Sequence, residues 1–321
     1  MKDKFRELIR RIAAGTGIPD QLRELSGTVD QLTQGTQAQL SQISSRLEDI
    51  ESCSYVDRGT QILLRMKYRE LAARGSLLSF DEVEFRNYSQ NGEDGILLYV
   101  FSVMGESNKV CVEICAANGI QCNSANLIIN HGWTGLLVDG NLSYIEQGQN
   151  YYNKHRDTRL YPPKFAHAWV TAENVNDLLI SNGLTGEIDL LSLDIDGVDY
   201  WVWKAMTAVS PRVIIAEVQA IWKSEASVTV PYRADFTTEY IDGFGVYSGA
   251  SLPAFVKLAK EKGYRLVGCQ RYGFNAVFVR NDVGMDILPE IPAEDCFGHP
   301  FCTWAHDVLL PRVSDKVWVA V

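Results

Sequence analysis

Two carboxylates of the sequence each follow a short apolar run and precede small residues. Glu113 leads into Ile-Cys-Ala-Ala-Asn-Gly119, and Asp139 stands 26 residues later in Val-Asp-Gly-Asn141. Small residues let a backbone approach a ligand closely, and a carboxylate after a second strand can accept hydrogen bonds from ribose hydroxyls. An acidic group at Glu113 suits a ligand's amine rather than a phosphate. The alternative for Asp139 and Asn141 is the N-cap of a following helix.

A second set of acidic residues is denser. Asp194, Asp196 and Asp199 follow a third apolar run, and Glu217 and Gln219 end the next one. Clustered like charges cost free energy unless a cation or a proton is present. Their oxygens suit Mg²⁺, Mn²⁺ or Ca²⁺. We predict a metal held by Asp194, Glu217 and Gln219 or Asp196, with Asp194, Asp196 and Asp199 as catalytic carboxylates. Alternatively, Asp199 starts a helix and Asp194 binds backbone N–H groups.

The elements that must position these groups are strands that alternate with helical patterns, which indicates a parallel sheet with crossovers. The strand candidates are residues 109–115, 134–140, 165–172, 188–195, 212–220, 264–270 and 275–281. Only Arg-Tyr-Gly-Phe separates the last two runs, and so short a link requires an antiparallel pair. This ending is unusual for a dinucleotide-binding fold and usual for S-adenosylmethionine-dependent methyltransferases.

The remaining residues divide around this α/β region, which we place at residues 89–281. Residues 1–55 carry a basic amphipathic helix and then apolar residues at a spacing of seven, which is typical of a coiled coil that forms a homo-oligomer. Residues 56–88 indicate a helical connector, and residues 282–321 a tail that packs on the domain. A basic amphipathic helix can also lie on an anionic membrane, so peripheral contact is an alternative.

Composition excludes several classes of protein. The 321 residues carry a formal charge of -10, which disfavours nucleic acid as a partner. No apolar run approaches the 18 residues of a membrane span, and no secretory signal is visible. The seven cysteines show no Cys-x-x-Cys spacing and indicate free thiols in a reducing compartment. We therefore expect a cytoplasmic protein, with the inner face of the membrane as the alternative.

With these residues in view, the chain resembles the FkbM-type S-adenosylmethionine-dependent methyltransferases, and more closely a bacterial subgroup associated with capsule and surface polysaccharides. The likeness covers about residues 86–281. The motifs that carry it are Tyr-Ser-Gln90-Asn-Gly-Glu93-Asp-Gly, Glu113 to Gly119, Gly132-Trp-x-Gly135 before Asp139, Thr171-Ala-Glu-Asn174, Leu-Asp194-Ile-Asp196-Gly-x-Asp199, Glu217, Tyr247-Ser-Gly-Ala-Ser251 and Gly273-x-Asn275.

This resemblance implies a class I methyltransferase fold with a seven-stranded, mostly parallel sheet, and S-adenosylmethionine as cofactor. The cofactor-binding residues that it implies are Gln90, Glu93, Glu113, Ala116, Gly119, Asp139, Gly140, Asn141, Thr171, Ala172, Glu173 and Asn174. The pair Asp194 and Glu217 is also similar to that of metal-assisted sugar O-methyltransferases of the macrocin type. One departure is Cys115, which stands where this fold usually has glycine.

The predicted function is methyl transfer to a sugar hydroxyl of a nucleotide sugar or a surface glycan, assisted by Mg²⁺ or Mn²⁺. Trp201, Trp203, Trp222 and Tyr232 could stack on the sugar, although Trp201 and Trp203 also suit core packing. Two other functions stay open. A glycosyltransferase could use Asp194-x-Asp196 to hold the metal of a nucleotide sugar, and a non-catalytic scaffold could organise polysaccharide assembly.

Overall fold

The computed structural model describes residues 4–9, 27–37, 39–40, 55–241 and 243–321, and the chain divides into two compact units, residues 1–53 and 54–321. In the first unit, the described residues are helical, and Arg6 donates to Asp30 at 2.6 Å. Val29 and Leu32 of the predicted coiled coil are exposed there. Leu40 is also exposed, whereas Leu22, Leu25, Ile43, Leu47 and Ile50 of the repeat lie outside the described residues, so the coiled coil and the homo-oligomer stay predictions.

The second unit alternates helices and strands. Its helices are α1 (Arg58–Ala73), α2 (Phe80–Val83), α3 (Glu93–Met104), α4 (Ala125–His131), α5 (Leu142–Lys154), α6 (Val175–Ser181), α7 (Asp199–Ala205), α8 (Leu252–Lys262) and α9 (Pro300–Leu309). Its strands are β1 (Val110–Ile114), β2 (Thr134–Asp139), β3 (Lys164–His167), β4 (Gly186–Leu193), β5 (Val209–Glu217), β6 (Val228–Thr229), β7 (Glu239–Ile241), β8 (Phe244–Tyr247), β9 (Tyr264–Cys269), β10 (Asn275–Arg280) and β11 (Val319–Ala320).

Seven of the strands form one sheet in the order β3-β2-β1-β4-β5-β10-β9. The pairs among β1 to β5 are parallel, and β10 is antiparallel to both β5 and β9. The single reversed strand follows from the short turn between β9 and β10, which leaves no room for a crossover. The predicted class I methyltransferase fold, with its antiparallel strand near the end of the chain, is therefore confirmed.

Successive residues of the strands pack into different cores, because side chains alternate between the two faces of a sheet. On β1, Val112 and Ile114 belong to one cluster, whereas Cys111 belongs to another. On β4, Leu191 faces the first cluster and Leu190 the second. Helices cover both faces, so the strands carry nearly continuous apolar runs, and these runs are what made them visible in the sequence.

The last forty residues of this unit pack against the sheet through backbone and side-chain hydrogen bonds. The N–H of Ile291 donates to the carbonyl of Leu266 on the edge strand β9 at 3.0 Å, and β11 pairs with β6. The Arg265 guanidinium donates to three carbonyls, those of Arg280, Val283 and Leu288. Among the described helices, none is both long enough and apolar enough to cross a membrane.

Candidate functional site

The carboxyl ends of the parallel strands gather the predicted acidic residues at one edge of the sheet. Glu113 pairs with Ser192 on β4, Asp139 ends β2, and Glu217 ends β5 opposite Asn275. In sheets of this kind ligands bind outside the carboxyl ends, where the strand order reverses. Here the order reverses between β1 and β4, which places the crevice beside Glu113 and the loop after β4.

Three carboxylates meet at the ends of β4 and β5. One carboxylate oxygen each of Asp194, Asp196 and Glu217, which we call the acidic triad, lie within 4.8 Å of one another. Burial, followed by the charges of Asp196 and Asp199, raises the pKa of Asp194 to about 8. Burial and the charge of Asp194 also raise the pKa of Glu217 well above its usual range. These shifts show that the triad favours protons, and by the same electrostatics a cation, over three bare negative charges.

Asp199 does not join this triad. It is fully buried at the start of α7, where its two carboxylate oxygens accept from the backbone N–H groups of Ile195 at 2.6 Å and Gly197 at 3.0 Å. Because both of its oxygens hold the loop in shape, this geometry favours a structural role for Asp199 over the predicted role of a catalytic base. The alternative, in which Asp199 starts the helix, is confirmed.

The side-chain nitrogen of Gln219 is engaged by residues of β8 and of the chain that follows it. Its side-chain amide nitrogen donates to the carbonyl oxygens of Gly245 at 3.2 Å and Ser248 at 3.3 Å, and to the Ser248 hydroxyl at 3.3 Å. The amide is thus engaged in holding the chain after β8 against the end of β5. Of the two candidates for the third metal ligand, Asp196 is the one whose carboxylate oxygen lies with those of Asp194 and Glu217, and the role of the Gln219 oxygen stays a prediction.

Glu113 is buried, and groups of the protein donate hydrogen bonds to both of its carboxylate oxygens. Its oxygens accept from the N–H groups of Asn123 and Ser124, each at 2.8 Å, and from the hydroxyls of Ser124 and Ser192. Direct contact between Glu113 and the amine of a ligand does not fit this geometry. Glu113 instead fixes the loop that leads from β1 into α4, so that the preceding residues face the crevice.

Asp139 keeps capacity for a ligand. One of its oxygens accepts from the N–H of Ala117 at 2.8 Å and the other from the N–H of Asn141 at 2.7 Å. Each carboxylate oxygen can accept a second hydrogen bond, and the side chain is half-buried. Asn141 caps α5 by accepting from the N–H of Ser143 at 2.9 Å, as its alternative interpretation predicted.

The loop after β1 alternates between ordinary and left-handed backbone. Cys115, Ala117 and Gly119 have φ values of 63°, 47° and 70°, and Ala116 does not have a positive φ. The Ala116 side chain is buried. A side chain at Gly119 would come within 2.7 Å of Leu137. Left-handed backbone is unfavourable for residues other than glycine, so Cys115 and Ala117 keep it only because Glu113 and Asp139 anchor the loop on both sides. The Cys115 side chain is exposed.

The predicted adenine-side residues form a closed turn after β3. The N–H of Thr171 donates to the Asn174 side chain at 2.8 Å, and the N–H of Asn174 donates back to the Thr171 hydroxyl at 3.3 Å. The N–H of Ala172 donates to the Tyr232 hydroxyl at 3.0 Å, and that hydroxyl donates to Glu173. These bonds tie the turn to the chain that follows β5, while Gly140 at the end of β2 lies under the Trp169 ring.

Two buried acidic side chains, Asp94 and Glu93, accept hydrogen bonds from residues 87–91, the segment that carries Gln90. Asp94 is buried, and one of its oxygens accepts from the N–H groups of Asn87, Tyr88 and Ser89, all within 2.8 Å. Glu93 is also buried and accepts from Asn91 and Asn275, so its predicted contact with a cofactor does not fit. Gln90 itself is exposed at the tip of this segment.

Three of the aromatic residues that could stack on a sugar have packing or hydrogen-bonding roles in the structure. Trp203 lies in the core, Trp201 donates to the carbonyl of Val230 at 2.9 Å, and Trp222 packs edge-on against Trp318. Sequence reasoning missed Tyr240, whose side chain is exposed and whose pKa is raised chiefly by the charge of Asp196 and then by burial and the charges of Glu217 and Asp194. No periodic apolar pattern marks the short strands β7 and β8, so no sequence signal pointed to Tyr240.

A separate cavity of about 780 Å³ lies between α2, the edge strand β9 and residues 287–300. Its walls include Phe80, Val267 and Leu288, and no residue of the acidic triad lines it. This cavity is therefore distinct from the crevice at the carboxyl ends of the strands.

Comparison with known proteins finds no match among protein-family models and none among curated proteins. Among solved structures, the chain is similar to the magnesium protoporphyrin IX methyltransferase of Synechocystis PCC 6803 with bound SAM, with 13% identity over 69% of this chain and 80% of that chain and a TM-score of 0.33. It is also similar to an O-methyltransferase from Bacillus cereus in complex with SAH, with 11% identity over 72% and 94% and a TM-score of 0.39.

A third similar structure is a proposed caffeoyl-CoA O-methyltransferase from Staphylococcus aureus, with 13% identity over 78% of this chain and 98% of that chain and a TM-score of 0.34. The fold assignment itself rests on the strand order and on the reversed strand β10.

Proposed function

We propose that the protein is an S-adenosylmethionine-dependent O-methyltransferase that acts on a sugar hydroxyl of a nucleotide sugar or a surface glycan with the help of Mg²⁺ or Mn²⁺. The observation that carries this proposal is the acidic triad, which stands beside the strand-order reversal of a class I methyltransferase fold. The FkbM-type resemblance of the sequence supports the sugar acceptor.

The cofactor crevice has the chemistry that a sulfonium nucleoside requires. Asp139 is half-buried with acceptor capacity for two ribose hydroxyls, and the left-handed turns at Cys115 and Ala117 bring backbone close to it. The half-buried turn residues Thr171 and Ala172 stand on the adenine side. When bound, S-adenosylmethionine supplies a methyl group that is already activated for transfer to an oxygen.

The acidic triad supplies the remaining requirements for O-methylation. Asp194 and Glu217 would hold a divalent ion through hard oxygen ligands, and such an ion would relieve the like-charge repulsion that contributes to their raised pKa values. A bound divalent ion lowers the pKa of a coordinated hydroxyl and orients it. With Asp199 engaged by backbone N–H groups, the exposed Asp196 is the carboxylate that accepts the proton of the sugar hydroxyl.

The first experiment measures turnover. We expect labelled S-adenosylmethionine, Mn²⁺ and a panel of nucleotide sugars and surface glycans to give a labelled sugar with the wild-type protein. Asp194→Asn should abolish this turnover and leave the affinity for S-adenosylhomocysteine unchanged. The matched control is Asp177→Asn, because Asp177 is exposed on α6. Normal methylation by the Asp194 variant in the presence of a chelator would contradict the role of the metal.

A metal-dependent glycosyltransferase is the second candidate, because Asp194 and Asp196 both belong to the triad in an Asp-x-Asp pattern. Calorimetric titration with S-adenosylhomocysteine and with uridine diphosphate separates the two candidates. Binding of S-adenosylhomocysteine alone supports the methyltransferase. Metal-dependent binding of uridine diphosphate alone would support the glycosyltransferase, and binding of neither ligand would support a non-catalytic scaffold.

A further inference from the structure

The hairpin of β7 and β8 has two faces with different contacts. On one face, Phe244 packs against Trp304 of α9 with ring centroids 5.4 Å apart, and Ile241 joins the apolar cluster that includes Leu309. At the start of the hairpin, Lys316 forms an ion pair with Glu239 at 2.5 Å. α9 and the chain that follows it therefore hold the hairpin in place from the side away from the triad.

The other face is directed to the loop after β4. The Thr238 hydroxyl donates to the carbonyl oxygen of Asp196, and the Phe236 ring packs over Gly197. A Cβ atom at Gly245 would lie 3.0 Å from the Thr238 methyl and 3.5 Å from the Tyr240 ring. Thr238 and Tyr240 therefore lie over the same bare glycine, and the side that carries Thr238 is the side that contacts Asp196.

Tyr240 combines exposure with proximity to the triad. Its side chain is 65% exposed, so the phenol is open to a ligand from solvent. The charges of Asp196, Glu217 and Asp194 all act on its hydroxyl and raise its pKa, which is consistent with a phenol that faces the triad. A tyrosine hydroxyl is protonated at neutral pH, so Tyr240 can donate a hydrogen bond to a ligand.

We propose that Tyr240 is a specificity-determining residue that hydrogen-bonds a hydroxyl of the sugar acceptor while the neighbouring hydroxyls face the acidic triad. This inference rests on the proposed function and extends it to the hairpin of β7 and β8. A ring with several adjacent hydroxyls fits this arrangement, since one hydroxyl can bind the phenol as others reach the ion. A sugar bound this way contacts the hairpin by an edge rather than through Trp201 or Trp203.

The test uses the full-length protein with S-adenosylhomocysteine and Mn²⁺ and the simple probes methyl α-D-glucopyranoside, methyl α-D-galactopyranoside and methyl α-L-rhamnopyranoside. Calorimetry first establishes that the protein binds S-adenosylhomocysteine and Mn²⁺. Broadening of the glycoside NMR signals by Mn²⁺ then measures binding near the metal. Tyr240→Phe removes only the hydroxyl, and Tyr161→Phe is the matched control, because Tyr161 is 76% exposed just before β3 at the opposite edge of the sheet.

We expect at least one glycoside to bind the wild type, with affinity about three- to tenfold weaker in Tyr240→Phe, the effect of one neutral hydrogen bond. Tyr161→Phe should bind like the wild type, and both variants should keep their affinity for Mn²⁺ and S-adenosylhomocysteine.

Two results overturn this inference alone: no glycoside binds a wild-type protein that holds Mn²⁺ and S-adenosylhomocysteine, or Tyr240→Phe binds the glycoside as tightly as the wild type. A wild-type protein that holds neither Mn²⁺ nor S-adenosylhomocysteine overturns the proposed function, and this inference with it. The calorimetric step therefore distinguishes the two failures.

Discussion

Two aspartates at opposite ends of β4 show how differently the molecule treats the same side chain. Asp189, towards the amino end, is fully buried and accepts from the N–H groups of Ser107, Asn108 and Lys109 and from the Arg212 guanidinium at 2.7 Å. Asp194, just beyond the carboxyl end, has other carboxylates as its neighbours. Donors compensate the first charge, whereas the second is surrounded by charges of the same sign.

This difference teaches that the donors around a carboxylate, rather than its burial, separate structural acids from functional ones. Glu113 and Asp199 belong with Asp189, because protein N–H and O–H groups occupy their oxygens. Asp194 and Glu217 form the opposite case, in which free energy is gained only when a proton or a cation arrives. Substitutions at the two ends of β4 should therefore change stability in opposite directions.

The largest expected effect is at the amino end. Asp189→Ala leaves Arg212 buried without its partner and three N–H groups without their acceptor, so we expect the free energy of unfolding to fall by about 3–5 kcal/mol. Urea denaturation measures it. The matched control is Glu187→Ala, which removes a partly exposed pair with Arg280 and should cost about 1 kcal/mol or less. Equal losses in the two variants would contradict the comparison.

The second prediction concerns the pH dependence of stability at the carboxyl end. The folded pKa of Asp194, about 8, lies above its ordinary value of 3.8, so the folded state binds the proton more tightly than the unfolded chain does. The contribution to stability is greatest below about pH 4 and is lost as the pH rises through about 8. With chelator present, wild-type stability should fall from pH 6 to pH 9, and Asp194→Asn should fall less. Identical pH profiles of stability for the two proteins would contradict the interpretation that like charges around Asp194 destabilise its ionised form.

The third prediction tests the ribose role of Asp139. Asp139→Ala removes the acceptor of two backbone N–H groups and, on the proposed function, of two ribose hydroxyls. We expect the binding free energy of S-adenosylhomocysteine to weaken by about 1.5–3 kcal/mol for each ribose hydrogen bond that is lost, the range for a charge-assisted hydrogen bond. Calorimetry measures this change, and Asp177→Asn serves as control. An unchanged dissociation constant would count against the assignment of Asp139.

The smallest expected effect is at Cys115. This residue has φ of 63°, so Cys115→Gly relieves left-handed strain and should raise the free energy of unfolding by about 0.5–1 kcal/mol. Ala116→Gly is the matched control, since Ala116 does not have positive φ and its replacement should destabilise the protein. Urea unfolding that shows the same sign for both variants would be inconsistent with strain at Cys115.

The sequence predicted the strands of the sheet because their apolar runs are buried on both faces. It also placed Asp139, Asp194 and Glu217 at strand ends, since those residues follow the runs directly. The sequence could not predict which carboxylates accept hydrogen bonds from the protein's own N–H and O–H groups. Glu113 is satisfied by Ser124, eleven residues later in a loop, and no sequence pattern reports where those N–H groups point.

The hairpin of β7 and β8 could not be predicted from the sequence for another reason. Its strands have three and four residues, and one face packs on α9 while the other lies beside the loop after β4. Neither strand is long enough to show alternation of apolar and polar residues. Tyr240 therefore emerged only when the fold placed residues 238–245 over the loop after β4.

Calorimetric titration of Mn²⁺ into the metal-free protein at pH 8 tests the central claim most directly. The account predicts one Mn²⁺ per chain for the wild type, proton release on binding, and loss of this binding in both Asp194→Asn and Glu217→Gln. Gln219→Ala should retain the site, because the carboxylate oxygens of Asp194, Asp196 and Glu217 already lie within 4.8 Å of one another. Absence of Mn²⁺ binding to the wild type, or equal binding by all these variants, would contradict the claim that the carboxylates of Asp194 and Glu217 form a cation site.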